Sequence, residues 1–358
     1  MPAVDSHWLV VPNLAWDADD KLGFGARGEY VREKPGREPY AAAWVVHLFA
    51  TTNGYHHHRL RFDLVGEDLR LTGHFAFRAW LNDGYWGIGN GTVREAPDDV
   101  YRYTLYQPYG QLTLRRELAG PLAAFVSANG RWSGVEPHAG SLLAAQDPYG
   151  TDGGAVGQLA GGVLFDTRSP EVTPERGVLL ELSARGVGGA YWFAGPFASA
   201  RAWTPLGTRV VLGGRVMAEW LVGEVPFYEM VHWGGSQPIA GFGGSDTIRG
   251  IPFGRWRGPG KSVANVEGRV DVVKHRFLKE ELRWQVVPFV DAGATFGAGD
   301  TATAPPPAFP LHYTVGGGVR AIWAETMVGR VDAGAGPDAT DTGEPWGWGL
   351  YLMFDHMF

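Results

Sequence analysis

The chain of 358 residues has no cysteine, which excludes disulfide staples and thiolate metal sites. It is poor in charge. Asp, Glu, Lys and Arg make up 19% of residues, and a formal net charge of −7 leaves no basic field to draw in nucleic acid. Also missing is any uncharged apolar run of the ~20 residues that a membrane-crossing helix needs. The longest uncharged run, 301–319, is broken by proline and glycine. The opening residues MPAVDSHWLVVPNL lack the basic start and sustained apolar stretch of a signal peptide, so export would need a leader outside this sequence. Glycine is abundant instead, at 53 residues, with 15 Trp, 13 Tyr and 18 Phe. That mixture suits an aromatic-girdled barrel better than a cytosolic globule.

The recurrent pattern has period two, the signature of a strand whose faces meet different surroundings. Within 209–222, Val210, Leu212, Val216, Ala218, Trp220 and Val222 share one face, while Arg209, Arg215 and Glu219 share the other. Within 262–273, Ala264, Val266, Val270 and Val272 oppose Asn265, Glu267, Arg269 and Asp271. Within 282–296, Leu282, Trp284, Val286, Val290 and Ala292 lie opposite Arg283, Gln285 and Asp291. A soluble sandwich would turn the apolar face inward and a membrane barrel would turn it to lipid, so alternation alone leaves both open.

Spacing favours the barrel. Sixteen segments read as strands: 21–32, 39–50, 55–65, 68–79, 100–107, 110–118, 121–134, 155–168, 176–187, 190–203, 207–222, 261–273, 282–296, 312–323, 326–336 and 346–358. The number is even, and their length suits the ~9–11 residues of a spanning strand. Short links (TTNG, LAGP, WTPLG, WAET) contrast with long ones at 135–154, 223–260, 296–311 and 337–345, as in a barrel with short turns at one end and long loops at the other. The region 80–99 breaks the rule by falling on the short-turn side. The last strand carries Trp348, Leu350, Leu352 and Phe354 on one face and ends at Phe358, with His356 where an aromatic would be usual.

Several motifs in order carry a family resemblance: FGGSDTIRGIPFGRWRG (242–258), NVEGR (265–269), PFVDAG (288–293), LFDTRSPEVTPERG (164–177) and GYWGIGNG (84–91). Together they resemble the outer-membrane assembly and secretion barrels typified by BamA and TamA, the bacterial surface antigen family, over residues 20–358. The resemblance implies an all-β, 16-stranded antiparallel transmembrane β-barrel in the bacterial outer membrane, with a short N-terminal periplasmic segment at 1–19. It also implies that the long extracellular loop at about 223–260 folds into the lumen. There Arg249, framed by Gly243, Gly244, Ile248 and Gly250, would meet Glu267 and Asp291 on the wall. Strand parity places both acids on charged faces of neighbouring strands, independently of the resemblance. Arg255 and Arg257 are expected on the outer part of the loop. The family's aromatic after Arg-Gly is replaced by Ile251, with Phe253 as a substitute for stacking. Asp166, Arg168, Pro174, Arg176 and Gly177 match a short periplasmic turn.

The implied activity is non-enzymatic insertion or translocation of polypeptides, or lipid handling. Its partners would be outer-membrane lipids and lipopolysaccharide, client polypeptides, and a periplasmic or lipoprotein partner that recruits clients in place of POTRA domains. A seam between 21–32 and the last strand, weakened by Gly23, Gly25 and Gly28 and closed near Phe358, is expected to open laterally. A passive or plugged channel, and a barrel anchoring or exporting an enzyme, are the alternatives. No cofactor or metal is expected: in GYHHHRL, His57 faces away from His56 and His58. DADD at 17–20 lacks the further ligands of a calcium loop and is read as the hydrophilic start of the barrel. No GxSxG elbow marks a hydrolase.

Overall fold

The computed structural model describes residues 6–35, 40–94, 96–237, 239–277, 280–297, 311–323, 327–337, 347–354 and 357–358. His356 and most of the links at 296–311 and 337–345 lie outside them. Seventeen strand segments form one antiparallel sheet that closes on itself. They are β1 (Ser6–Asp17), β2 (Lys21–Arg32), β3 (Ala42–Thr51), β4 (Tyr55–Val65), β5 (Leu69–Gly84), β6 (Arg102–Ala119), β7 (Leu122–Pro137), β8 (Gly154–Asp166), β9 (Gly177–Gly189), β10 (Phe193–Pro205), β11 (Val210–Trp220), β12 (Val222–Gly223), β13 (Gly260–Phe277), β14 (Glu280–Phe296), β15 (His312–Trp323), β16 (Met327–Gly336) and β17 (Gly347–Phe354). The two-residue β12 continues β11 past Leu221 along β10, so the wall has sixteen strands.

Alternation decides which face is which. On β9, Glu181, Ser183 and Arg185 are buried while Leu180 and Leu182 are 44% and 61% exposed. The same inversion runs round the barrel, with Leu159, Val216, Val290 and Trp348 outside and Arg215, Glu267, Asp291 and Arg320 buried. Polar groups inside and an apolar outer surface are the arrangement of a barrel that faces lipid.

The strand count agrees with expectation through two offsetting differences. Residues 6–17, expected to precede the barrel, form β1, which pairs with β2 along its whole length from Ser6↔Arg32 to Asp17↔Lys21. Residues 102–119, expected as two strands, form the single β6. Pro108 lies in the gap between the expected strands 100–107 and 110–118, and that gap has a structural counterpart. The β6–β7 register runs to Tyr106↔Gly134 and resumes at Tyr109↔Arg131, so the ladder lapses beside a residue with no N–H. With β1 included, 85–101 joins the long-loop end and TTNG moves there too, which removes the anomaly at 80–99. DADD spans the β1–β2 turn rather than opening the barrel.

The expected seam also moves. The closing junction is β1–β17, and among the described residues it holds Trp16↔Leu352 and Asp17↔Tyr351, against eight pairs between β16 and β17. Gly23 and Gly25 lie one strand further in, on β2. A Cβ on Gly23 would fall 2.2 Å from the ring of Phe49, so this glycine seats an aromatic from β3 rather than loosening an edge. A Cβ on Gly25 would meet the Leu48 carbonyl at 2.0 Å, while Gly28 borders open space. Phe358 is not on the seam: it is buried beside Trp203 and Met357.

Candidate functional site: a buried guanidinium between loop and wall

Residues 224–259, linking β12 to β13, pack against the buried face of the wall. Tight glycine geometry makes this approach possible. Gly250 has φ +100°, and a Cβ there would sit 2.6 Å from the Gly334 carbonyl oxygen on β16. A Cβ on Gly334 would in turn sit 2.3 Å from the Arg249 carbonyl, so the two backbones touch where neither residue has a side chain. Gly243, at φ +98°, brings the loop back on itself against the Pro252 carbonyl. Ile248 and Ile251 are buried with Phe242, Trp233, Trp256 and Phe197 in a cluster between loop and wall.

That backbone delivers Arg249, wholly buried, into a ring of acids. Its Nε donates to Asp291 Oδ2 at 2.8 Å and Nη2 to Asp291 Oδ1 at 3.0 Å, a bidentate pair, and its backbone N–H reaches the same carboxylate at 3.1 Å. Nη1 donates to Asp332 Oδ2 at 3.3 Å and lies 3.5 Å from Glu267 Oε2. Glu267 is thus the more distant of the two expected acids, and its closer partner is Arg269, at 2.7 Å. The guanidinium carbon sits 3.4 Å from the ring centre of Phe289. Stacking therefore comes from β14 and not from Phe253, which packs on Trp80. Burial alone would depress the Arg249 pKa, but the Asp291 charge and hydrogen bond, then Glu267 and Asp332, hold it above the ordinary arginine value.

Further contacts fix the loop. Tyr351 Oη accepts from Gly250 N–H at 2.9 Å, and Asn265 Nδ2 bridges Thr247 O at 2.6 Å and Asp291 Oδ1 at 2.8 Å. Arg330 reaches Asp246 at 2.9 Å, and Arg131 reaches Glu229 at 2.8 Å. Arg255 and Arg257, expected on the outer part, are buried too: Arg255 donates to Thr92 Oγ1 and O, and Arg257 to the Gly84 carbonyl at 2.7 Å. The GYWGIGNG segment therefore backs the loop. Asp332, Arg269, Arg320 and Phe289 went unassigned in the sequence. Parity would have exposed Asp332 and Arg320, which lie with Arg330 on the polar face of β15 and β16 in the register Arg320↔Arg330. Nothing in the local pattern marks Phe289.

The turn 167–176 stands at the other end. Asp166 accepts from Arg168 Nε at 2.9 Å and Nη2 at 2.7 Å, Arg176 bridges Ser169, and Gly177 has φ +100°. Pro174 O accepts from Arg269 Nη1 at 3.3 Å. Arg269 also donates to Glu267 and, at 3.0 Å, to the Phe358 carbonyl, so one guanidinium joins turn, chain end and the Arg249 cluster. Among the described residues no group of three His, Asp or Glu side chains converges as a metal site, and the His56 and His58 rings lie 5.8 Å apart.

No protein-family model matches the chain, and no curated protein matches it in sequence. Solved structures do. BamA from Haemophilus ducreyi lacking POTRA domains 1-3 superposes with a TM-score of 0.64 at 12% identity, over 98% of this chain and 70% of that one. The fold is that of the BamA and CdiB barrels. CdiB from Escherichia coli gives 0.61 at 12% identity, over 97% of this chain and 63% of that one. CdiB from Acinetobacter baumannii gives 0.55 at 11%, over 98% and 65%. The chain thus spans under two-thirds of each CdiB.

Proposed function

We propose that this chain is a non-enzymatic outer-membrane barrel that inserts or translocates polypeptides, with residues 224–259 as a plug held in the lumen by Arg249. The observation that carries it is the seam. Among the described residues two pairs join β1 to β17, and Trp8, Val10, Leu14 and Trp16 stand exposed along β1 beside it. A strand edge so thinly paired can accept a client strand through main-chain hydrogen bonds. A plug anchored to wall strands from β5 to β17 favours passage beside the lumen wall over free solute flux. Recruitment is assigned to a separate periplasmic or lipoprotein partner, and the outer face to lipid and lipopolysaccharide.

The test uses the natural absence of cysteine. Trp16→Cys with Leu352→Cys puts two thiols opposite each other at the seam, within disulfide reach for directly paired strands. In liposomes the wild type should speed the folding of a second, unfolded barrel. The oxidised pair should lose that effect and reductant should restore it, while a Val315→Cys/Ala335→Cys pair away from the seam should have no effect. Solute flux insensitive to the lock, without accelerated folding, would instead support a passive channel.

A further inference from the structure

Residues 224–259 fill one side of the lumen and leave the other open. Inward-facing Glu181, Arg215, Glu267 and Arg320, on β9 to β15, are 8% exposed or less. Across the lumen, on β4 and β5, inward-facing His57, Arg59, His74 and Arg78 are half-buried. Arg61, the next inward residue of β4 toward the short-turn end, is exposed. Between the β3–β8 wall and the loop lies a cavity of about 440 Å³, which therefore opens toward that end. Three rows of facing residues cross its wall. His57 faces Arg78, and Arg78 faces Gln107. Arg59 faces Ala76, then Tyr109 and Arg131; Arg61 faces His74, then Gln111, Asn129 and Gln158. The rows hold Arg59, Arg61, Arg78 and Arg131 and no carboxylate.

Acids enter the cavity from elsewhere: Asp19 and Asp20 from the β1–β2 turn, Glu229 and Asp246 from the loop, with Glu229 bound to Arg131 and Asp246 to Arg330. Among the described residues no carboxylate pairs with Arg78. Its guanidinium donates to Gln107 Oε1 at 2.7 Å and lies 4.5 Å from the ring centre of Tyr109, while its Nε has no hydrogen-bond partner. Arg131 sets the amides of the third row. Its Nη1 donates to Asn129 Oδ1 and to Gln158 Oε1, at 3.1 Å each, and because a guanidinium only donates, both amide oxygens are committed. Asn129 and Gln158 are half-buried on the cavity, and among the described residues their amide nitrogens bond to no acceptor. Both outer rows thus lean on the middle one, Arg78 over Tyr109 and the amides onto Arg131, and Tyr109 and Arg131 are direct partners. The donors that converge there are a guanidinium without an acid and two amide N–H₂ groups, a match for an oxyanion and the hydroxyl oxygens of a polyol.

We propose that the open side of the lumen is a binding site for a small hydroxylated anion, a sugar acid or a sugar phosphate, with its oxyanion on Arg78 and its hydroxyls on Asn129 and Gln158. The site goes beyond polypeptide handling and does not depend on it. The probes are D-glucuronate and D-glucose 6-phosphate, titrated calorimetrically into the refolded full chain in tetraethylene glycol monooctyl ether, a detergent with neither sugar nor charge. At least one of them should bind about tenfold more tightly than D-glucose, the weight of one charge-assisted hydrogen bond, and more tightly than acetate or inorganic phosphate. Arg78→Gln should cut that affinity about tenfold and leave the affinity for glucose unchanged. Gln158→Glu keeps the oxygen that Arg131 holds and puts a second carboxylate oxygen where the N–H₂ stood, so it should abolish anion binding while the heat-modified gel mobility of the barrel stays the same. Tighter binding of glucuronate supports a sugar acid, and tighter binding of glucose 6-phosphate a sugar phosphate. No binding of either anion, or equal affinity in wild type and both variants, overturns the site. Equal affinity for glucose overturns the oxyanion contact, and equal affinity for acetate or inorganic phosphate overturns the hydroxyl contacts.

Discussion

Replacing Arg249 with alanine would leave Asp291 buried with no ion-pair partner among the described residues, while Asp332 keeps Arg320 and Arg330. Stranding a buried charge costs ~3–5 kcal/mol, so Arg249→Ala should lower the urea midpoint of the micelle-bound barrel by that equivalent. Arg255→Ala removes donors to neutral Thr92 atoms and should cost about 1–3 kcal/mol. Equal midpoints for the two variants would refute a special role for the acid ring. Arg249→Lys keeps the charge and loses the fork, and should fall between them. Gly250→Ala tests the backbone contact separately, because it collides with Gly334 and takes an unfavourable φ. About 1–3 kcal/mol is expected from thermal unfolding, and Gly334→Ala should give a similar loss.

At the scale of elements, the strands were legible wherever one parity was apolar, because the outer face of the wall is apolar and the inner face polar. β11, β13 and β14 lie where alternation put them, and the lumen-side positions of Glu267 and Asp291 follow from the same parity. β1 was missed although Trp8, Val10, Leu14 and Trp16 alternate, since DADD reads as the start of the barrel and 1–19 as a segment before it. The glycines of β2 misled for another reason: a ring laid across a glycine belongs to the neighbouring strand and leaves no trace in local sequence. Gly23→Ala should therefore displace Phe49 and destabilise the barrel by about 1–3 kcal/mol in unfolding titrations, where a seam-loosening glycine would have gained stability on substitution.

The loop element also carries a pH dependence. His232, which lines the cavity, has its pKa pushed well below the usual histidine range by burial, then by Arg78, Arg131, Arg185 and Lys261. Glu229 and Glu219 face the same region but are engaged by Arg131 and by Arg185 with Lys261. A depressed folded pKa means that the unfolded chain takes up the proton first. The stabilisation is intact above about pH 6.5 and is lost as pH falls below it. Proteolysis within 224–259 should accelerate between pH 7 and pH 5, and His232→Gln should flatten that slope. An unchanged slope in the variant would assign the pH response to other groups.

For the whole molecule, closure of the barrel and anchoring of residues 224–259 are handled by different parts of one sheet. The sheet runs from β1 round to β17 with short lapses in the β3–β4, β6–β7 and β13–β14 ladders, and residues 224–259 are tied mainly to the β9–β17 side. Carbonyls of Met357 and Phe358 are held by Arg215 on β11 at 3.3 Å and by Arg269 on β13 at 3.0 Å. The closing strand is therefore moored to the opposite flank of its own half of the wall, through the interior. Among the described residues β1 makes its ladder with β2, two seam pairs and one inward contact, Asn13 Nδ2 to His47 Nε2 on β3 at 2.7 Å. If the seam parts, the leaf that swings is the N-terminal one, and the C-terminal strand serves as the doorpost.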